Sequence, residues 1–342
     1  MKGCFTLFFF LFTNLLFCQN LYDLINNKLK NDLFDKKEQI EGKLVLFATD
    51  FSNSVWVNPE KIENIDTLIN FDEDINLLLS AISLRLFDNE KFNINSYLTA
   101  IIPGSTEPYL PNSDDYDIPF KQEMTAKYLI QQRSGIYNLF NNNKEKFLEI
   151  TKNDSYIYND SDYILIIDSL SSFLSKNNLK EIDPNLNFNY NKLNFLFLSK
   201  VLNRISGGKL INALERNIYN ITGINNFTIE NKISPYLLAL YYKNIIKNEM
   251  VIPKRLMDNY LLSSIPINNF FIEYAMGCFY YKNIGYGNIS LYDNSARLTI
   301  YIPTKNIFLL FYIFETKINN DDFLLSKDIN KLLELLSKIN FN

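Results

Sequence analysis

The feature that most constrains the fold is a change of hydrophobic period along the chain. Short apolar runs typical of β-strands occur near the start, at Lys43–Ala48 and Ser54–Val57, and return between Gly277 and Phe314, whereas helical spacing dominates the middle. One sheet built from both ends of the chain is the simplest arrangement of such a pattern. We therefore predict an α+β fold, with one antiparallel sheet built from both chain ends, flanked by helices and interrupted by a mostly helical insertion.

Three segments with helical spacing are expected to flank this sheet. They cover Leu21–Phe34, about Asp72–Phe87 and about Leu325–Ile339. The segment Gly277–Phe314 divides into four expected strands, Gly277–Tyr281, Asn288–Tyr292, Arg297–Ile302 and Ile307–Phe314. The sheet part is expected to cover about residues 20–102 and 250–342, and the helical part about residues 103–249.

Composition excludes several classes of function. The 342 residues include no histidine, which removes Ser-His-Asp and Cys-His triads, histidine metal ligands and a histidine general base. The 34 Lys and Arg residues are outnumbered by 38 Asp and Glu residues, for a net charge of −4. This balance opposes nucleic-acid binding, which needs a basic surface. We expect no metal, no cofactor and no nucleic-acid partner.

The first residues are typical of a secretory signal peptide. Lys2 precedes an apolar run from Phe5 to Phe17, which is shorter than the roughly 18 residues of a membrane span. We predict a signal peptide over residues 1–18 and a mature domain over residues 19–342, without a transmembrane segment, in the periplasm or outside the cell. A lipid anchor at Cys18 is the alternative, although Phe17 is large for a lipoprotein signal. Cleavage would leave Cys278 as the single thiol, which excludes an internal disulfide.

Four segments, in order, resemble the serine β-lactamase and penicillin-binding-protein-like family, in its class C β-lactamase and D-alanyl-D-alanine carboxypeptidase branch. They are Met124–Ile136, Phe188–Gly207, Asn220–Gly223 and Tyr274–Gly277. Glycine is retained where φ is positive or where backbones approach closely, and five glycines of this Gly-poor chain fall on family glycine positions: Gly135, Gly207, Gly223, Gly277 and Gly287. The resemblance implies a β-lactamase/transpeptidase-like fold.

The resemblance also implies a site, and the site motifs are degenerate. The family uses a Ser-x-x-Lys at a helix start, and matching Leu86–Phe92 to the family places that serine at Glu73 and that lysine at Asn76. The family's Tyr-Ser-Asn motif becomes Tyr190-Asn191-Lys192, so Tyr190 alone is retained as a candidate catalytic residue.

The third motif of the family, a Lys/His-x-Gly strand, becomes Asn288-Ile289-Ser290. Acidic residues favour helix N-termini, which is our preferred interpretation of Asp72-Glu73-Asp74. A carboxylate acid/base pair or a cation site is the alternative. We further predict an ion pair between Glu73 and Lys192, with an amine that points to solvent as the alternative.

The sequence therefore predicts an exported β-lactamase/penicillin-binding-like serine hydrolase homologue whose catalytic machinery has decayed, a pseudoenzyme. It would act by binding a cell-wall fragment, a peptide or an envelope protein, and β-lactams would not acylate it. The alternative is an active serine hydrolase of the β-lactamase or D-Ala-D-Ala peptidase type with an unrecognised nucleophile.

Overall fold

The computed structural model describes residue 29 and residues 43–57, 69–151, 160–179, 188–224, 232–267, 272–292, 295–314 and 327–339. The predicted signal peptide lies outside these residues, and so does the predicted helix Leu21–Phe34 apart from Leu29.

The strands of the described residues run in chain order as follows: β1 Lys43–Thr49, β2 Ser54–Val57, β3 Ile69–Asn70, β4 Lys232–Ile233, β5 Ile265–Pro266, β6 Ile272–Ala275, β7 Cys278–Tyr281, β8 Gly285–Gly287, β9 Ile289–Tyr292, β10 Ser295–Ile302 and β11 Ile307–Phe314. The α-helices are α1 Ile75–Asp88, α2 Ala126–Ile130, α3 Leu139–Asn142, α4 Lys144–Thr151, α5 Asp160–Lys176, α6 Lys192–Ile205, α7 Leu210–Leu214, α8 Asn220–Thr222, α9 Pro235–Ile246, α10 Lys254–Leu256 and α11 Lys327–Lys338. Single turns of 3₁₀-helix cover Asp72–Asp74 and Asp114–Tyr116, and π-helical turns cover Glu215–Tyr219 and Met257–Leu261.

The chain forms two compact units. The first comprises Met1–Thr67, Ser234–Lys243 and Tyr281–Asn342, and the second comprises Leu68–Ile233 and Asn244–Tyr280. The predicted helix Asp72–Phe87 is present as a 3₁₀ turn followed by α1, and it belongs to the second unit.

The antiparallel sheet of the first unit joins the two chain ends. Strand β1 lies between β2 and β11, with Lys43 opposite Phe314 and Thr49 opposite Phe308. Strand β11 continues the sheet to β10, which also pairs with β8 and β9. The prediction that the early strands and the late strands share one sheet is confirmed.

The apolar pattern explains this strand order. Every residue of β1 from Leu44 to Thr49 is buried, and β11 is buried from Ile307 to Phe311, because both strands have neighbours on either side and lack a solvent face. Helix α11 is amphipathic instead, and its buried positions recur at intervals of three and four residues: Ile329, Leu332, Leu333 and Leu336. Burial of such a stripe against the rest of the unit is the main source of stability for a helix of this length.

The second unit holds the helical insertion and the strand pairs β3–β4 and β5–β6. These pairs, together with β8 of the first unit, were not predicted. Apart from β6, these strands have only two or three residues, which is too short to display a period of two, so their pairing depends on tertiary contacts.

Candidate functional site

The carboxylate of Glu73 lies at the start of a long helical segment in the second unit. Strand β3 pairs with β4 and is followed by buried Phe71, so the chain is anchored just before the turn. The 3₁₀ turn Asp72–Asp74 then leads directly into α1. Glu73 and Asp74 are 9% and 1% exposed. The acidic run therefore lies at a helix N-terminus, the position that the preferred interpretation requires, and the helix dipole favours anions there.

Gly277 packs against the first turn of α1 so closely that no side chain fits. A Cβ atom at this position would lie 2.4 Å from the carbonyl oxygen of Asn76 and 2.3 Å from Oγ of Ser80. The residue also has a φ of +85°, which L-residues rarely adopt. Glycine at this position therefore places the start of β7 directly on the helix turn that carries Asn76.

The Tyr190 segment is held by side chains of the loop that follows α2. The Asn191 side chain caps α6 by accepting a hydrogen bond from the Leu193 amide at 3.0 Å, and its amide group donates to the Ile136 carbonyl at 2.7 Å. Gln132 Oε1 accepts from the Asn191 backbone amide at 2.8 Å. Asn138 Nδ2 donates to the Tyr190 carbonyl at 2.9 Å. Two of the segments that carry the resemblance therefore meet in a buried hydrogen-bond network.

The predicted ion pair between Glu73 and Lys192 is present. Lys192 Nζ lies 3.5 Å from Glu73 Oε1, and the two side chains are 21% and 10% exposed. The same Nζ lies 4.5 Å from the ring centroid of Phe140, a cation–π distance. The ammonium of Lys192 is therefore held by a carboxylate and by an aromatic face.

Asn76 and Tyr190 also meet at this site. Asn76 Nδ2 lies 3.5 Å from the Tyr190 hydroxyl, at the long limit of a hydrogen bond. The Tyr190 ring stacks on Phe279 at a centroid distance of 5.9 Å. Burial raises the pKa of the Tyr190 phenol well above its usual value, and the nearby Glu73 carboxylate raises this pKa further. The phenol consequently keeps its proton at neutral pH.

Positive φ angles recur at the positions that carry the resemblance. Glu90, within the segment Leu86–Phe92, has a φ of +57°. A positive φ is uncommon for a residue with a side chain. Four of the five matched glycines also have positive φ: Gly135, Gly207, Gly223 and Gly277. The fifth, Gly287, lies against the Thr299 carbonyl, where a Cβ atom would be at 1.7 Å.

The other two predicted positions, Asn288 and Ser290, belong to the first unit, and both are buried. Asn288 Nδ2 donates to the Tyr242 hydroxyl at 3.0 Å, and its backbone amide donates to Oγ1 of Thr299 at 2.9 Å. Ser290 Oγ accepts from the guanidinium of Arg297 at 3.2 Å. These side chains are thus engaged in the interior of their own unit.

The other candidate nucleophiles near α1 and the Tyr190 segment are engaged in internal contacts. Ser80 Oγ donates to the Asn76 carbonyl at 2.7 Å, and Ser134 Oγ donates to the Asn194 side chain. Cys278 is a free, buried thiol whose pKa is raised by burial and, to a lesser degree, by Asp74. A raised pKa keeps this thiol protonated and therefore a poor nucleophile.

Among the described residues, no group of three or more Cys, Asp or Glu side chains is arranged to hold a metal ion. No helix there combines the length and apolar character that crossing a bilayer requires.

Comparison with known proteins identifies the scaffold. The D-amino acid amidase from Ochrobactrum anthropi SV3 superposes with a TM-score of 0.65 at 11% identity, covering 91% of this chain and 99% of that chain. The D-stereospecific amidohydrolase from Streptomyces sp. gives 0.61 at 12% identity, covering 87% and 94%. The octameric penicillin-binding protein homologue from Pyrococcus abyssi gives 0.60 at 14% identity, covering 90% and 76%. No family model and no curated protein sequence matches the chain.

The chain therefore has a β-lactamase/transpeptidase-like fold, the scaffold of serine-hydrolase-fold amidases and penicillin-binding proteins. A fold of this kind does not by itself carry a function.

Sequence reasoning missed three residues of the site. Asn191 could have been found, because an asparagine directly before the apolar period of α6 is an N-cap signal. Phe140 and Gln132 carry no such signal, since they reach the site from positions that are 52 and 60 residues away from Lys192 along the chain.

Proposed function

We propose that this protein is a catalytically inactive, exported homologue of β-lactamases and D-alanyl-D-alanine carboxypeptidases that acts by binding an envelope ligand. The observation that carries the proposal is the identity of the residues at the helix start. Glu73 and Asn76 occupy the positions at which the resemblance expects a serine and a lysine, and Lys192 forms an ion pair with Glu73.

The electrostatics of the site support inactivity. Attack by a serine nucleophile of this scaffold would place negative charge on the carbonyl oxygen of the substrate, and this oxyanion needs hydrogen-bond donors and positive charge nearby. The carboxylate of Glu73 is negative instead and would repel such an oxyanion. Asn76 is neutral and lacks the cation that would favour a phenolate at Tyr190, and burial and Glu73 raise the pKa of that phenol. Tyr190 is thus unsuited to accept a proton at neutral pH.

The alternative, an active hydrolase with an unrecognised nucleophile, finds less support. Ser80 is buried and bonded to a helix carbonyl, Ser134 is buried beside Asn194, and the Cys278 thiol is protonated. The hydroxyls of Ser80 and Ser134 donate to a backbone carbonyl and to a side-chain amide, and neither partner is the base that an activated nucleophile needs.

The structural relatives support one ligand class for this proposal. Proteins whose names state an action on D-amino acid amides, or penicillin binding, share the scaffold. Cell-wall peptides also contain D-amino acids, and an inactive scaffold that is exported would meet them. A soluble cell-wall fragment is therefore the first candidate ligand, before a peptide or an envelope protein.

Soluble muropeptides test this proposal directly. The purified protein is titrated by isothermal calorimetry, and the recovered ligand is analysed by liquid chromatography and mass spectrometry. We expect binding that saturates while the muropeptides remain intact. Muropeptides that lose their terminal D-alanine would establish an active hydrolase instead, and absence of binding across the muropeptide set would reject this ligand class.

A further inference from the structure

Two of the contacts of the Lys192 ammonium are contacts that any primary ammonium could make. One is the 3.5 Å approach to Glu73 Oε1, and the other is the position 4.5 Å from the ring centroid of Phe140. Both contacts involve only the ammonium group, so an ammonium on a separate molecule could make them as well. A ligand that carries an ammonium next to an apolar group could therefore replace Lys192 at both partners.

The two members of the ion pair are held unequally. Glu73 precedes α1, and the N-terminal end of this helical segment stabilises a carboxylate whether or not Lys192 is present. Lys192 is the first residue of the 14-residue helix α6, where the helix dipole disfavours a cation. Glu73 is consequently the permanent member of the pair, and Lys192 is the replaceable one.

The geometry of the pair is also loose. Charge-assisted hydrogen bonds between nitrogen and oxygen are usually about 2.7–2.9 Å long. On the same helix, Lys200 Nζ approaches Asp168 Oδ1 to 2.6 Å, whereas the Lys192–Glu73 separation is 3.5 Å. The Lys192 side chain is 21% exposed, and its flexible stem allows the ammonium to move aside into solvent.

We propose that this site binds a primary ammonium group adjacent to an apolar or aromatic group, in exchange for the ammonium of Lys192. Lys192 then acts as a built-in competitor that lowers the apparent affinity by the fraction of time it occupies Glu73. Carboxylate ligands are disfavoured, because Glu73 and buried Asp74 both carry acidic groups at this position. The inference rests on the proposed binding function of the same site and specifies its ligand chemistry.

Benzylamine, which is protonated at pH 7, is the probe. Its binding is measured by calorimetry and by protein NMR at low ionic strength, with benzyl alcohol and benzoate as neutral and anionic controls. We expect Lys192→Met to bind benzylamine at least tenfold more tightly than the unmodified protein. Glu73→Gln should abolish benzylamine binding, and neither control compound should gain affinity in Lys192→Met.

The matched control is Lys146→Met, which removes the same charge from an exposed ion pair with Glu149 in the same unit. It should bind benzylamine as the unmodified protein does. Lys192→Gln provides a second variant if Lys192→Met does not fold, and it should show the same gain. Equal affinities in the Lys192 variants and the unmodified protein would overturn the inference, as would a gain that persists in Glu73→Gln/Lys192→Met.

The outcomes separate this inference from the proposed function. A gain in benzylamine affinity without muropeptide binding would support the ammonium site and reject the cell-wall ligand. Intact muropeptides that bind equally to the unmodified protein and to Glu73→Gln would support the proposed function and overturn the ammonium site.

Discussion

A double-mutant cycle on Glu73 and Lys192 measures the strength of the ion pair on which the proposed inactivity rests. At 3.5 Å, the direct attraction of two unit charges is about 5 kcal/mol for an effective dielectric constant of about 20. Removal of both charges from water offsets most of this attraction. Because the side chains are 10% and 21% exposed, we expect a coupling free energy of about 1–3 kcal/mol, above the roughly 0.2–1 kcal/mol of exposed pairs.

The assay is urea unfolding of the unmodified protein, Glu73→Gln, Lys192→Met and the double variant, at one pH and one ionic strength. Of the two single changes, Lys192→Met should lower the free energy of unfolding more, because it removes this cation from a carboxylate that is mostly buried. The corresponding cycle on Lys146 and Glu149, an exposed pair at 2.8 Å, should give about 0.5 kcal/mol or less. A Glu73–Lys192 coupling below about 0.5 kcal/mol would mean that the two residues act independently and would refute the reasoning.

Three further predictions concern the frame around the site. Gly277→Ala should destabilise the protein by several kcal/mol more than Gly104→Ala in chemical denaturation, because both residues have a positive φ but only Gly277 has backbone within 2.4 Å of the added Cβ; equal effects would contradict this packing. Asn191→Ala should cost about 1–3 kcal/mol, through loss of the α6 cap and of the bond to the Ile136 carbonyl, and a change within error of zero would argue against the network. Burial raises the pKa of the Tyr190 phenol above its unfolded value of about 10, so the protonated phenol contributes fully to stability below pH 10 and this contribution is lost as the pH rises further. Tyr190→Phe should therefore make the decline in unfolding free energy above pH 10 shallower, by up to about 1.4 kcal/mol per pH unit. An unchanged slope would contradict the raised pKa.

The pairing of early and late strands could be predicted because the central strands β1 and β11 are recognisable from the local sequence alone. Strands β1 and β11 are continuous apolar runs, and such runs near both chain ends leave few arrangements other than pairing with each other. The strands β3, β4 and β5 could not be predicted, since two residues display no period. The partner of β3 is also distant in the chain, because Ile69 lies opposite Ile233.

The site could be predicted where spacing within a segment carries the information. The register from Leu86–Phe92 brought Glu73 and Asn76 to the Tyr190 segment, and the contacts of Lys192 and Asn76 agree with it. The role of Phe140 could not be predicted, because its contact with the Lys192 ammonium depends on how the loop after α2 folds back. Distances of this kind are set by packing and are not encoded in a local pattern.

The most direct test of the central claim is whether a β-lactam acylates the protein. The purified protein is incubated with benzylpenicillin and analysed by intact-protein mass spectrometry, beside an active penicillin-binding protein as the positive control and the urea-unfolded chain as the negative control. Loss of a catalytic nucleophile costs roughly 10⁶ in rate where it has been measured. The account predicts an unchanged mass after hours of exposure. A stoichiometric increase by the mass of the penicillin, mapped to a serine of the folded protein, would contradict it.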